Sequence, residues 1–139
     1  MADTTAVWRG DMSFEIELHG HKFIVDADES VGGSDQGPRP KALMLSSLAG
    51  CTGMDVVSIL NKMQMPFDRF ELKIDGTTAD SHPKVYNKVT VVYQFWGDKL
   101  DESKIEKAVT LSQDKYCGVS ETLKQLAEVD YAIELNPAG

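Results

Sequence analysis

The sequence predicts an α+β fold in which a long apolar helix separates two groups of strands. Apolar and polar residues alternate at 12–18, 69–75 and 129–135, a period typical of strands with one buried face. Between the first two lies the helical stretch 41–63. The order β-β-β-α-β-β-α-α-β, read as antiparallel hairpins interrupted by helices, excludes a doubly wound parallel sheet. With 139 residues, we expect a single domain spanning 1–139.

The N-terminal part predicts a small sheet followed by a loop. Residues 12–18 and 21–26 form a hairpin around His19-Gly20, because glycine tolerates the positive φ of a tight turn. Residues 4–9 supply a third strand. The Gly- and Pro-rich stretch 32–40 is a loop, and it lacks the Gly-Lys-Ser/Thr ending of a phosphate-binding P-loop.

The stretch 41–63 predicts a helix that is apolar on nearly every side. Pro40 suits its first turn, and its length would be roughly 35 Å at about 1.5 Å per residue. Because such a helix is too long for the core of a lone domain of this size, we expect part of it to pack against a second subunit. Gly50 and Gly53 permit the close approach of another backbone.

The second half predicts a long strand, two helices and a final strand. The strand covers 84–96, with Val89, Val91 and further apolar residues on one face. Asp98 or Asp101 caps the next helix. A short helix follows Gly118.

Charge and composition narrow the range of partners. The net charge of −8 disfavours binding to nucleic acids or anionic membranes, and no uninterrupted apolar run approaches the roughly 20 residues of a membrane span. The N-terminus has no basic region followed by an apolar core, so we expect no secretory signal. Two cysteines are too few for a disulfide scaffold, and no cofactor motif is present. These features favour a cytoplasmic protein without a cofactor.

Cys51 and Cys117 are the candidate nucleophiles. They lie 66 positions apart (117 minus 51), so they form no Cys-x-x-Cys motif. A cysteine in an apolar helix is usually structural, and it reacts only where its thiolate is favoured. Asp55 lies one turn after Cys51 on the same face, where it would either repel a thiolate or accept its proton. His19 and His21 lack an evident third ligand, so no metal site is predicted.

Three segments carry a resemblance to a known family: GPRP at 37–40, AGCTGMDVVSIL at 49–60 and LSQDKYCGVS at 111–120. With them the chain resembles the OsmC/Ohr family (osmotically induced protein C and organic hydroperoxide resistance proteins), closest to the YhfA-like branch. The resemblance implies an intertwined homodimer, in which β-sheets wrap around two long central helices and the active sites lie at the subunit interface.

The resemblance also implies a chemistry: reduction of organic hydroperoxides in oxidative or osmotic stress defence. Cys51 would be the peroxidatic cysteine, whose thiolate becomes a sulfenic acid, and Cys117 the resolving cysteine, which condenses with it to a disulfide. A dithiol reductant would then restore both thiols.

This sequence departs from the family at the groups that support the thiolate. Its peroxidase branches have a glutamate ten positions before the first cysteine, paired with an arginine, and here that position is Lys41. Arg9 and Arg39 are the candidate arginines. Lys41 could support the thiolate itself. Two alternatives stay open: a non-enzymatic protein that binds an apolar or acidic small molecule, and a dimeric interaction module with inert cysteines.

Overall fold

The computed structural model describes residues 2–139, and its elements follow the predicted order, which confirms the α+β class. They form two compact units that divide between Met44 and Leu45. Short 3-10 turns occur at Glu29–Val31 and Pro40–Ala42, and a π-helical turn occurs at Ser112–Tyr116. The strands and helices are β1 (Thr4–Trp8), β2 (Phe14–Leu18), β3 (His21–Val25), α1 (Leu43–Lys62), β4 (Arg69–Thr78), β5 (Tyr86–Trp96), α2 (Glu102–Leu111), α3 (Gly118–Lys124) and β6 (Glu128–Leu135).

The first unit is built on an antiparallel sheet in the order β1-β2-β3. Leu18 pairs with His21, so the hairpin loop is the two-residue turn His19-Gly20, as predicted. Both loop residues have positive φ, 48° and 82°, which matches the right-handed twist of the flanking strands. Beyond β3, the buried carboxylate of Asp26 accepts backbone N–H groups from the loop, which holds its pKa below the usual value.

One face of this sheet is apolar but open. The register places Trp8 beside Phe14 and Ile16 beside Phe23 on the same face. Trp8 is 63% exposed, and Phe14, Leu18 and Phe23 are also exposed. The alternation in the sequence is therefore confirmed. The expected burial of this face is wrong for the single chain, because most of its large apolar side chains are exposed to solvent.

The second unit is built on the sheet β4-β5-β6, with β5 in the centre. β4 pairs antiparallel to β5, whereas β6 pairs parallel to it. The expectation of antiparallel hairpins throughout is therefore wrong at β6. The reason is the connection: α2 and α3 carry the chain back across the sheet before β6 begins, and parallel neighbours need such a crossover.

Helix α1 contributes one buried face to the core of this unit. The face repeats every fourth residue, at Leu48, Thr52, Val56 and Leu60, all fully buried. It packs with the inward side of β5, where Val89, Val91, Tyr93 and Phe95 are also fully buried. Each buried aliphatic side chain contributes roughly 1.5–3 kcal/mol. Because this face of α1 packs against β5, the residues on its other sides point away from the strand.

The helical stretch Pro40–Lys62 has a mean hydropathy of 1.6 and is long enough to cross a membrane by length and composition alone. The sequence expectation concerned uninterrupted apolar runs, whereas this helix also contains glycine, serine, threonine and an aspartate. Core helices of globular proteins pass the same test. In this chain the helix buries its inward face against β5.

Candidate thiol site

The structure brings three predicted site residues together in the second unit: Cys51, Asp55 and Cys117. Both cysteines are free thiols. Their sulfur atoms and a carboxylate oxygen of Asp55 all lie within 4.8 Å of one another. Asp55 follows Cys51 by one turn of α1, so the predicted shared face is confirmed. The site is thus made of two thiols and a carboxylate at close range.

Cys117 reaches this position through the turn that follows α2. The chain widens into a π-helical turn, closed by the N–H of Cys117 donating to the carbonyl of Ser112 at 2.8 Å. Cys117 is then the N-cap of α3, where its sulfur accepts the N–H of Ser120 at 3.3 Å. The helical periodicity of the sequence does not indicate the π-helical turn. It also does not indicate that a cysteine is the N-cap, a position usually occupied by Ser, Thr, Asp or Asn.

A buried chain of hydrogen bonds ends on Asp55. The Gln113 amide donates to the Tyr93 hydroxyl at 2.7 Å, and the Ser112 hydroxyl donates to the Asp55 carboxylate at 2.9 Å. Thr52 lies between them, 2.6 Å from the Tyr93 hydroxyl and 2.7 Å from that of Ser112. Because the one proton of Ser112 is already given to Asp55, Thr52 must donate to Ser112, and Tyr93 must donate to Thr52.

A second branch ties this chain to the other cysteine. The Ser120 hydroxyl donates to the Gln113 side-chain oxygen at 2.7 Å, while the Ser120 N–H donates to the sulfur of Cys117. One set of hydrogen bonds therefore orients both the carboxylate and the buried thiol. Ser112, Gln113 and Ser120 are themselves buried, so each lost partner would leave a buried polar group unsatisfied.

The sequence prediction missed this polar network. Thr52 and Ser112 sit at positions where the helical periodicity places core residues, and polar side chains there need partners inside the protein. That pattern was the available signal for them. Nothing in the local sequence indicates that Tyr93 and Gln113 join the same chain.

The two cysteines differ in exposure, and the buried one has a shifted pKa. Cys117 is 3% exposed, whereas Cys51 is half-buried. Burial raises the pKa of the Cys117 thiol to about 11, and the neighbouring Cys51 adds to the shift. Cys117 is therefore a neutral thiol at physiological pH. Burial likewise raises the pKa of Tyr93, so its hydroxyl keeps the proton that it donates.

The predicted cationic residues belong to the first unit. Arg39 pairs with Asp35 at 2.7 Å and with Asp28 at 3.4 Å, and these hydrogen bonds raise its pKa. Arg9 donates to Ser13 and Gln36. Lys41 lies exposed in the 3-10 turn before α1. Their role toward Cys51 stays a prediction.

Comparison of the sequence with known protein families identifies the family of this chain. The sequence model of the OsmC-like proteins matches residues 33–132, which include all three site residues. The chain belongs to the OsmC-like protein family. This confirms the resemblance seen in the sequence.

Individual relatives of this OsmC-like chain agree with that assignment. The Escherichia coli K12 protein YhfA is 27% identical over 116 residues, which are 84% of each chain, as expected for the YhfA-like branch. An OsmC-like protein from Mycoplasma pneumoniae superimposes with a TM-score of 0.81 at 16% identity, covering 96% of this chain and 95% of the other. The Legionella pneumophila organic hydroperoxide resistance protein OsmC gives 0.70 at 14% identity, covering 94% of each chain.

Proposed function

We propose that this protein reduces organic hydroperoxides with thiols, with Cys51 as the peroxidatic and Cys117 as the resolving cysteine. The observation that carries the proposal is the close approach of the two free thiols, whose sulfur atoms lie within 4.8 Å of each other. Membership of the OsmC-like family adds support, as does the likeness of fold to a protein named for hydroperoxide resistance.

The reaction proceeds in three balanced steps. The Cys51 thiolate attacks the O–O bond of a hydroperoxide and takes one oxygen; the other leaves as an alkoxide, which is protonated to the alcohol. The Cys51 sulfenic acid then condenses with the Cys117 thiol, which releases water and forms a disulfide. A dithiol gives up two electrons and two protons to restore both thiols.

The environment of each cysteine favours this division of roles. Cys51 is the more exposed of the two, so a substrate can reach its sulfur first. Cys117 is buried, and its raised pKa keeps it protonated while the peroxide reacts. Asp55 lies near both sulfur atoms. It can take the Cys117 proton as the disulfide forms and pass it to the departing hydroxyl of the sulfenic acid, which leaves as water. A reducing cytoplasm would supply the dithiol.

Intact-mass spectrometry of the reduced protein tests the proposal directly. After one equivalent of cumene hydroperoxide, we expect each chain to lose the mass of two hydrogen atoms, because both thiols become a disulfide. Hydrogen peroxide in a parallel sample should react more slowly if the site favours organic substrates.

Two single variants serve as controls for this experiment. Cys117→Ser should gain the mass of one oxygen, and Cys51→Ser should stay unchanged. An unchanged mass of the unmodified protein after prolonged exposure would contradict the proposed activity.

We also propose that the protein acts as a homodimer, because each unit carries an open apolar surface. The hairpin sheet of the first unit leaves its apolar face uncovered. In the second unit, a groove of about 610 Å³ runs along α1 and β4, lined by Gly50, Gly53, Leu72 and others. Met54 at this groove is 76% exposed. A second copy of the chain would cover such surfaces.

Replacing Met54 by glutamate is expected to shift the protein toward monomers, since a charge at a covered apolar contact must be desolvated. Size-exclusion chromatography with light scattering gives the mass in solution. Leu126→Glu is the matched control, because Leu126 is 77% exposed in the turn that follows α3. A Met54→Glu protein that stays as dimeric as the control would argue against α1 as the interface.

A further inference from the structure

We infer that Cys51, Cys117 and Asp55 form a binding site for one zinc(II) ion in the reduced protein. The two sulfur atoms and the carboxylate oxygen lie within 4.8 Å of one another. Ligand atoms around a tetrahedral zinc, each about 2.0–2.3 Å from the metal, are separated by somewhat less than this. Small side-chain adjustments would therefore complete the geometry.

The donor set selects the class of metal. Thiolate sulfur favours soft or borderline ions such as Zn²⁺, whereas Mg²⁺ and Ca²⁺ need sites made of oxygen ligands. Two sulfurs and one carboxylate oxygen supply three protein ligands, which leaves the fourth position of a tetrahedral ion to water. The two thiol protons are released to solvent when the ion binds.

Two of the three ligands are already oriented by hydrogen bonds from behind. Asp55 accepts the Ser112 hydroxyl at 2.9 Å, and the sulfur of Cys117 accepts the Ser120 N–H at 3.3 Å. Such outer partners hold the ligands of metal sites in place, and their loss costs about 10–100-fold in affinity. In this chain Ser112 and Ser120 belong to the buried network. The side chains of Asp55 and Cys117 are therefore already restricted in conformation before zinc binds, which reduces the entropy lost on binding.

One of the three ligands, Asp55, lines a cavity that opens to solvent. This cavity of about 330 Å³ lies between α1 and the turn after α2, with Ile59, Leu111 and Tyr116 in its walls. Cys51 and Asp55 are half-buried rather than enclosed. An ion can therefore reach Asp55 from solvent, and Cys117 would be the last ligand to bind because it is buried.

Zinc binding does not require the proposed peroxidase activity, although the two would exclude each other. Both thiolates would be bonded to the metal, so neither sulfur would be free to attack an O–O bond. A zinc-loaded chain would also keep its cysteines reduced. Failure to bind zinc would therefore leave the peroxidase proposal intact. Likewise, a lack of peroxidase activity would leave the zinc site intact.

The test is an anaerobic titration of the protein, reduced with a phosphine, with Zn²⁺ against a chromophoric chelator. We expect one ion per chain. Co²⁺ as a second probe should give a thiolate-to-cobalt charge-transfer band. Asp55→Asn should weaken zinc binding at least about 10-fold, while its amide oxygen still accepts the Ser112 proton. The control Asp98→Asn, at an exposed position, should bind like the unmodified protein.

Cys51→Ser and Cys117→Ser should each abolish the full cobalt band. Thermal unfolding gives an independent measurement, because an ion that binds only the folded chain raises the Tm of the unmodified protein. Zinc binding that survives either cysteine variant, or equal affinity in Asp55→Asn and Asp98→Asn, would overturn the site. The absence of binding to the unmodified reduced protein would do the same.

Discussion

Cys51→Ser is expected to reduce the steady-state turnover of cumene hydroperoxide with a dithiol to the uncatalysed background. A serine hydroxyl in place of the thiolate cannot attack an O–O bond at neutral pH. The measurement is the loss of hydroperoxide over time in the presence of dithiothreitol. Turnover that persists in this variant would contradict the proposed role of Cys51.

Cys117→Ser provides the contrast within the same assay. Before dithiothreitol is added, the oxidised Cys51 should stop as a sulfenic acid after one turnover, and a sulfenic-acid trapping reagent should label it. Small external thiols would restart turnover slowly, because the sulfenic acid must then be resolved from solution. Multiple-turnover rates equal to those of the unmodified protein would remove Cys117 from the mechanism.

The second large effect is on stability, at Thr52→Val. Valine has nearly the same shape as threonine, so the core volume is kept while the central hydroxyl of the buried chain is lost. The Tyr93 hydroxyl then has no acceptor, and Ser112 has lost a donor. Tyr93 still accepts from Gln113, and Ser112 still donates to Asp55. The buried Tyr93 proton left without an acceptor costs about 1–3 kcal/mol, and the hydrogen bond lost at Ser112 costs about 0.5–1.5 kcal/mol. We expect the free energy of unfolding to fall by about 1.5–4.5 kcal/mol.

Urea denaturation at a fixed protein concentration measures this change, since a dimer makes the midpoint depend on concentration. Thr122→Val is the matched control, because Thr122 is an exposed helical threonine whose hydroxyl donates to the carbonyl of Gly118. We expect that substitution to change the free energy by no more than about 0.5 kcal/mol. Equal stability of the two variants would mean that the buried chain contributes little to folding.

Several features of the fold are readable from local sequence because they depend on neighbours along the chain. The turn at His19-Gly20 follows from residues that adopt positive φ. The N-cap of α2 is narrowed to Asp98 or Asp101 by residue type, and in the structure the Asp101 side chain accepts the N–H of Lys104 at 3.2 Å. The inward face of β5 follows from alternation alone, because side chains on a strand point to opposite faces in turn.

Burial was less predictable than periodicity. The alternation in β2 correctly indicates a strand, yet Phe14 and Leu18 stay exposed in the single chain. A pattern of side chains specifies which face is apolar, and it carries no information about which surface covers that face. The parallel pairing of β6 was missed for a related reason, since alternation is identical in parallel and antiparallel strands.

By itself the sequence determined the α+β class and the approximate bounds of most helices and strands. It also indicated that Cys51 and Asp55 share one helical face and that the chain resembles the OsmC/Ohr family. Only the tertiary structure decided that Cys117, 66 residues away (117 minus 51), joins them within 4.8 Å. It also decided that Thr52 and Tyr93 link Gln113 to Asp55. The physical reason is that these distances are set by how α1, β5 and the turn after α2 pack together. No local rule fixes that packing.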